Sequence, residues 1–99
     1  MAVEISRDHK PDVPDELRRI ESKNGMVEPS KSGGVQVGPS RVWVKHEAGP
    51  GLAMSRSFGD TIASTVGVIS DPEFSVRSLS PTDRFIVIGS DGLWDQMTN

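Results

Sequence analysis

Apolar positions recur along this chain at two different spacings, and the change of spacing outlines its elements. Leu17 and Ile20 stand three apart among charged residues, which predicts a helix with a narrow apolar stripe. Pro14 suits its first position, Asp15 and Glu16 suit the positive end of its dipole, and Arg18, Arg19 and Lys23 are expected to face water. Asn24-Gly25 supplies the stop, with Gly25 able to take the left-handed conformation. Ala2–Ile5 predicts the end of a strand, closed by the turn Asp8-His9-Lys10-Pro11, where proline fixes φ and removes a donor. Met26 to Gly38, with Pro29, Ser30, Ser32, Gly33 and Gly34, predicts an irregular, mobile loop.

Alternation then takes over. Arg41–Lys45 predicts a strand, broken at Glu47–Gly51, and Leu52–Phe58 predicts a helical turn closed by Gly59-Asp60. Thr65–Ile69 and Phe74–Arg77 predict strands separated by Asp71-Pro72, and Ser80-Pro81-Thr82-Asp83 predicts a turn. Arg84–Gly89 carries the strongest strand pattern. Its unbroken apolar run predicts burial on both faces, as at the centre of a layered sheet. Leu93–Thr98 predicts the opening turns of a helix. A chain that stops as a helix starts after its most buried strand is expected to be a fragment or truncated product of a larger domain.

Composition narrows the chemistry. At 99 residues the chain suits one domain or part of one, and 34% hydrophobic with 25% charged residues suits a folded chain rich in turns. The absence of cysteine excludes disulfides, thiolate nucleophiles and cysteine-based zinc sites. No apolar run is long enough for a signal peptide or a membrane span, so no membrane partner is expected, and the expected setting is intracellular, cytoplasmic or nuclear. Residues 1–45 carry a net charge of +1 and residues 46–99 a net charge of −4. The later half therefore attracts cations and does not draw nucleic acid, although solvated acidic surface accounts for the count equally well.

Two clusters can carry chemistry. Asp91 directly follows the Arg84–Gly89 run, Gly92 permits a sharp turn, and Asp91 and Asp95 are four apart, so both carboxylates can face one point. A hard divalent cation relieves the repulsion between two such groups. On spacing alone, the competing reading makes Asp91 a helix cap and Asp95 a residue favoured by the dipole, with Trp94 a core residue beside them. In Ser55-Arg56-Ser57-Phe58-Gly59-Asp60, the fork of Arg56 can bind phosphate oxygens or form an internal ion pair, for instance with Asp60. Ser55 and Ser57 lack the Gly-x-Ser-x-Gly elbow of a serine nucleophile. His9 and His46 lack zinc spacing, His9 reading as part of a structured turn. Gly49-Pro50-Gly51 lacks the Lys and Ser/Thr of a phosphate loop and reads as a hinge.

Taken in order, Asp8-His9-Lys10-Pro11, Leu52–Asp60 and Ser90-Asp91-Gly92-Leu93-Trp94-Asp95 closely resemble the protein phosphatase 2C family, the metal-dependent phosphatases of the PPM class. The resemblance covers nearly the whole chain. It implies an α/β (α+β) fold, part of a four-layer α/β/β/α sandwich with mainly antiparallel sheets, in which residues 1–99 form a partial catalytic domain and residues 27–50 its flap-like segment. It implies Mg²⁺ or Mn²⁺ as cofactor, Asp91 as a metal ligand and Asp95 as a ligand of an additional metal site. It also implies a phosphoprotein substrate and a water activated by the metals. His9, Ser55, Gly59, Asp60 and Gly92 fall on motif positions of structural character, and Arg56 on one that either binds substrate or orders the base of the flap.

The family's Asp-Gly-His-Gly-type motif, its phosphate-binding Arg and its later Asp-Asn motif are not among the 99 residues. The expected activity is hydrolysis of phosphoserine or phosphothreonine by the family domain, with the isolated chain inactive. A non-catalytic phosphatase-like module that binds phosphoproteins or a protein partner is the alternative, and self-association through incomplete sheet edges is a third expectation.

Overall fold

Helix α1, Pro14–Ser22, begins where the sequence placed it, with Pro14 at its start and Asp15 and Glu16 in its first turn. The computed structural model describes residues 1–97. Their order is α1, strand β1 (Gly25–Ser32), β2 (Val35–Val44), β3 (Pro50–Leu52), α2 (Thr61–Ser64) and α3 (Asp91–Trp94). This is an α+β arrangement with one antiparallel three-stranded sheet in the order β1-β2-β3. Two compact units divide the chain: Asp8–Pro72, and Met1–Arg7 with the chain from Glu73 onward.

Within the first unit the expected loop at Met26–Gly38 is a β hairpin. Ser32 pairs with Val35, which leaves Gly33-Gly34 as a two-residue loop with φ of 58° and 81°. Two positive φ values are what a tight turn matching the strand twist requires, and glycine supplies them without a Cβ penalty. Glycine, serine and proline therefore marked a turn and an irregular pairing where a loop was expected. Pro29 sits on an edge strand where the ladder tolerates a missing donor. The register steps from Pro29↔Ser40 to Ser30↔Val37, so Gly38 and Pro39 bulge out of β2.

The strand expected at Arg41–Lys45 is the end of β2, which stops at Val44. Gly49-Pro50-Gly51 leads into β3 and is not a free hinge: Val44 N–H donates to the Gly49 carbonyl at 2.9 Å, and an Arg41 Nη1 donates to the Gly51 carbonyl at 2.8 Å. Leu52–Phe58 forms no helical turn; Pro50–Leu52 is paired with β2 instead.

The core gathers Ile20 from α1, Val42 from β2, Ala63 from α2, and Val66 and Val68 beyond it, with Val27, Val44 and Leu52 packed against them. Thr65–Ile69 is therefore buried in part, but it follows α2 as a turn and only Ile69 bridges another residue, Arg56. After α1 the left-handed residue is Asn24, φ 62°, and not Gly25, which opens β1. Asparagine tolerates that region because its short side chain can hydrogen-bond locally. Packing demands glycine at Gly67 as it does at Gly25: at φ 91°, a Cβ on Gly67 would lie 2.9 Å from Ile20 Cα and 3.0 Å from the Arg19 carbonyl oxygen.

The second unit departs most from the elements its sequence pattern predicts. Ala2–Ile5, Phe74–Arg77 and Arg84–Gly89 form no strands. Its described residues are tied by a bidentate ion pair of Arg7 with Glu73, by a bond from Ser75 Oγ to the Ile5 carbonyl at 2.8 Å, and by the expected turn at Ser80–Asp83. Far from being buried on both faces, Phe85 is 81% and Ile88 90% exposed. A strand exists through ladder bonds to a neighbour, and a two-faced apolar run is covered only by layers on both sides. The described residues of this unit supply neither. The helix expected at Leu93–Thr98 starts earlier, at Asp91, and Thr98 lies outside the described residues.

Candidate functional site

Helix α3 brings Asp91 and Asp95 to its two ends. Asp91 is its first residue, Asp95 its C-cap, and the Asp95 N–H donates to the Asp91 carbonyl at 2.8 Å. Both are exposed. Asp91 is not the cap expected from spacing: Ser90 holds the N-cap position in an extended conformation. Nor does Asp95 stand in the first turn, where the helix dipole favours a carboxylate. Gly92 lies inside the helix without a positive φ, so the sharp turn expected of it is absent.

The tight approach is at Gly89, where a Cβ would lie 2.6 Å from Leu93 Cδ2. The half-buried Trp94 closes this corner by donating from Nε1 to the Gly89 carbonyl at 2.7 Å. The corner thus holds two exposed carboxylates on a helical turn braced by an indole. Their donors are hard oxygens, which suit Mg²⁺ or Mn²⁺, and Mg²⁺ is commonly held by only one or two carboxylates with water completing its shell. Among the described residues no group of three or more His, Asp or Glu side chains converges, so this corner is at most part of a metal site.

The second cluster is a buried network that includes two residues without an assigned site role from sequence. Glu16, on α1, is fully buried. Its Oε1 accepts from Ser55 Oγ and from Arg56 Nε, each at 2.7 Å, and its Oε2 accepts from Arg56 Nη2 at 3.1 Å and from Arg19 Nη1. Arg19 also donates from Nε to the Gly67 carbonyl at 2.7 Å and from Nη2 to the Ser55 carbonyl at 3.0 Å. Burial pushes the Glu16 carboxyl up. The bonds from Arg56, Arg19 and Ser55, with the charge of Arg19, outweigh burial and hold it well below the usual carboxylate range.

Arg56 therefore makes an internal ion pair, but with Glu16 and not with Asp60; its Nη1 donates to the Asp71 carbonyl at 2.9 Å. Arg19 turns inward, contrary to the expectation that it faces water. The signal in the sequence was Glu16 standing four residues before Ile20, which places a carboxylate on the apolar stripe where only a partnered charge is tolerated.

Each remaining motif residue has a local task. Gly59 turns the chain at φ 67°, and Asp60 caps α2, its Oδ1 accepting from the Ala63 N–H at 3.4 Å. The His9 carbonyl accepts from the Ser55 N–H at 2.9 Å and Pro11 is fully buried, so the Asp8–Pro11 turn and the Ser-Arg segment hold one another. His46 lies at the exposed turn after β2 with φ 64°. No helix among the described residues is long and apolar enough to cross a membrane.

Comparison with known proteins gives these motifs a family. The family model described as Protein phosphatase 2C matches residues 1–99. The chain is 46% identical over 99 residues to "Probable protein phosphatase 2C 1" of Arabidopsis thaliana, covering all of this chain and 21% of that protein. It is 41% identical over 96 residues to "Probable protein phosphatase 2C 61" of the same plant, covering 97% of this chain and 28% of the relative. To "Probable protein phosphatase 2C 48" of Oryza sativa subsp. japonica it is 42% identical over 98 residues, covering 99% of this chain and 27% of that protein. The chain spans between a fifth and a third of the length of these relatives. With the Ser-Arg-x-x-Gly-Asp network and the Ser90–Asp95 corner both in place and the family model matching from end to end, the chain belongs to the protein phosphatase 2C family.

Proposed function

We propose that this chain is a segment of a Mg²⁺- or Mn²⁺-dependent protein serine/threonine phosphatase, to which it contributes Asp91 as a metal ligand and Asp95 as a ligand of an accessory metal. The observation that carries the reading is the pair of exposed carboxylates at the two ends of α3, on the motif that the family match covers. A bound divalent ion supplies charge neutralisation at a phosphoryl group and lowers the pKa of a coordinated water. What the chain itself contributes is placement. Asp91 and Asp95 offer oxygen ligands on one turn, and the bond from Trp94 to Gly89 fixes that turn to the residues before it.

The β1–β2 hairpin and the turn to Pro50 correspond to the flap-like segment, residues 27–50, at which a phosphoprotein substrate is read. The network of Glu16, Arg19, Ser55 and Arg56 serves as the base of that flap, with Arg56 occupied by Glu16 and the Asp71 carbonyl. A direct substrate role for Arg56 would require it to give up these bonds. The four-layer sandwich belongs to the same proposal. So does the inactivity of the isolated chain, since two carboxylates are too few for a two-metal centre. Self-association, expected from the sequence through incomplete sheet edges, is proposed to proceed through the exposed apolar run Phe85–Ile88.

A Mn²⁺ titration followed by paramagnetic broadening of the amide spectrum tests the ligand assignment. Broadening is expected at Asp91 and Asp95 and is lost in Asp91→Asn. Broadening centred elsewhere, with Asp91 untouched, overturns it.

A further inference from the structure

Ser80 is the one Ser or Thr in the sequence that is followed directly by proline. It stands at the start of an exposed turn. The Asp83 N–H donates to the Ser80 carbonyl at 3.0 Å, and the Ser80 N–H donates to Asp83 Oδ2 at 2.8 Å. Ser80 through Asp83 are all exposed, and between Glu73 and Gly89 this turn is the sole regular feature. Pro81 fixes its own φ and holds the preceding residue extended. The Ser80 hydroxyl therefore sits on a solvent-facing corner with unladdered chain on either side, where an incoming enzyme can reach it.

The surroundings are also suited to a phosphate once it is there. Arg77 lies three residues before Ser80, and its Nη2 reaches Asp83 Oδ1 at 3.3 Å, so its guanidinium already stands at this turn. The pair is half-exposed and correspondingly weak. Ser80 Oγ lies 2.7 Å from Thr82 Oγ1, which brings a second polar group to the same point. A phosphoserine carries a charge of about −1.5 to −2 near neutral pH and offers three acceptor oxygens. Arginine binds such a group through two parallel bonds, more strongly than it holds a single exposed carboxylate oxygen.

We propose that Ser80 is a phosphoacceptor for a kinase that requires proline after the acceptor, and that Arg77 moves from Asp83 to the new phosphate. In the transfer the Ser80 oxygen forms a bond to the γ-phosphorus of ATP, the bond from that phosphorus to the β–γ bridging oxygen breaks, ADP leaves, and the hydroxyl proton passes to the kinase's base. Asp83 then faces a like charge and loses its cation. The clasp between its carboxylate and the Ser80 N–H opens, at the start of the Arg84–Gly89 run that leads to Asp91.

The test uses the whole chain, Mg-ATP and a proline-directed kinase, with sites mapped by mass spectrometry. One phosphate is expected on Ser80, absent from Ser80→Ala and at least tenfold slower to appear in Pro81→Ala, which keeps the hydroxyl. Phosphate on other residues with Ser80 unmodified, no incorporation at all, or an unchanged rate in Pro81→Ala overturns the site. The second half is read by ³¹P titration of the phosphorylated protein. Arg77→Ala is expected to raise the second pKa of the phosphate, because a neighbouring cation favours the dianion, while Asp83 and Arg84, the other charged groups on this turn, stay in place. No upward shift overturns the role of Arg77.

Discussion

The carboxylate of Glu16 and the guanidinium of Arg56, 40 positions apart, meet through two hydrogen bonds of 2.7 and 3.1 Å in a site from which Glu16 is wholly shielded from water. This contact joins the first helix to the Ser-Arg segment and makes that segment part of the framework. A buried charge is tolerated only when its lone pairs are filled, and here Ser55, Arg56 and Arg19 fill them.

Removing the carboxylate leaves two guanidinium groups facing one another without it. Glu16→Ala is expected to cost about 3–5 kcal/mol in urea denaturation, the range for breaking one side of a buried pair. Replacing both partners by apolar residues of similar volume, as in Glu16→Leu with Arg56→Met, is expected to recover part of that loss. A single variant as stable as the parent would show that the network carries no stability.

The same carboxyl sets a pH dependence. Its folded-state pKa is held below the ordinary value of 4.5. Its contribution is therefore fully present above that value, where the unfolded chain is also ionised. It is lost as pH falls below 4.5 toward the lower folded value. Denaturation midpoints measured from neutral to acid pH are expected to fall in this window more steeply for the parent than for Glu16→Gln.

At Gly67 a side chain meets backbone rather than a movable group. Gly67→Ala combines a left-handed φ with a clash against Ile20 Cα and the Arg19 carbonyl, and is expected to cost at least about 1–3 kcal/mol. Gly59→Ala has a positive φ but nothing within 4 Å of the added carbon, so it is expected to cost less. Thermal denaturation of the two variants gives the comparison, and the reverse order would refute the packing argument.

The exposed run Phe85–Ile88 is expected to give the chain a concentration-dependent mass. Sedimentation is expected to show species larger than a monomer, and Ile86→Lys with Ile88→Lys is expected to reduce them by charging the exposed apolar run. A clean monomer for the parent at all accessible concentrations would remove self-association from the account.

Local features of the fold were legible where local rules decide them. The start of α1 followed from Pro14, Asp15 and Glu16, and the turn at Ser80–Asp83 followed from its composition. The hairpin was hidden because Gly33-Gly34 and Pro29 mark loops as readily as they mark a tight turn and a bulge. Arg84–Gly89 shows the opposite limit. Its pattern is that of a strand between two covering layers, which the described residues of its unit do not form, so the run forms no strand and lies exposed.

The site divides in the same way. Asp91 and Asp95 were legible as a pair from their spacing, whereas the assignment to a metal rests on the family motif. Glu16 and Arg19 were missed because their partners lie as many as 48 residues away, at a separation on which helix spacing has no bearing.

Phosphopeptide hydrolysis by the 99-residue chain in Mn²⁺ tests the central claim most directly, because the claim is that this family segment supplies ligands to a metal centre that it does not complete. The predicted result is no turnover above the metal-only blank. Turnover that disappears in Asp91→Ala would contradict it.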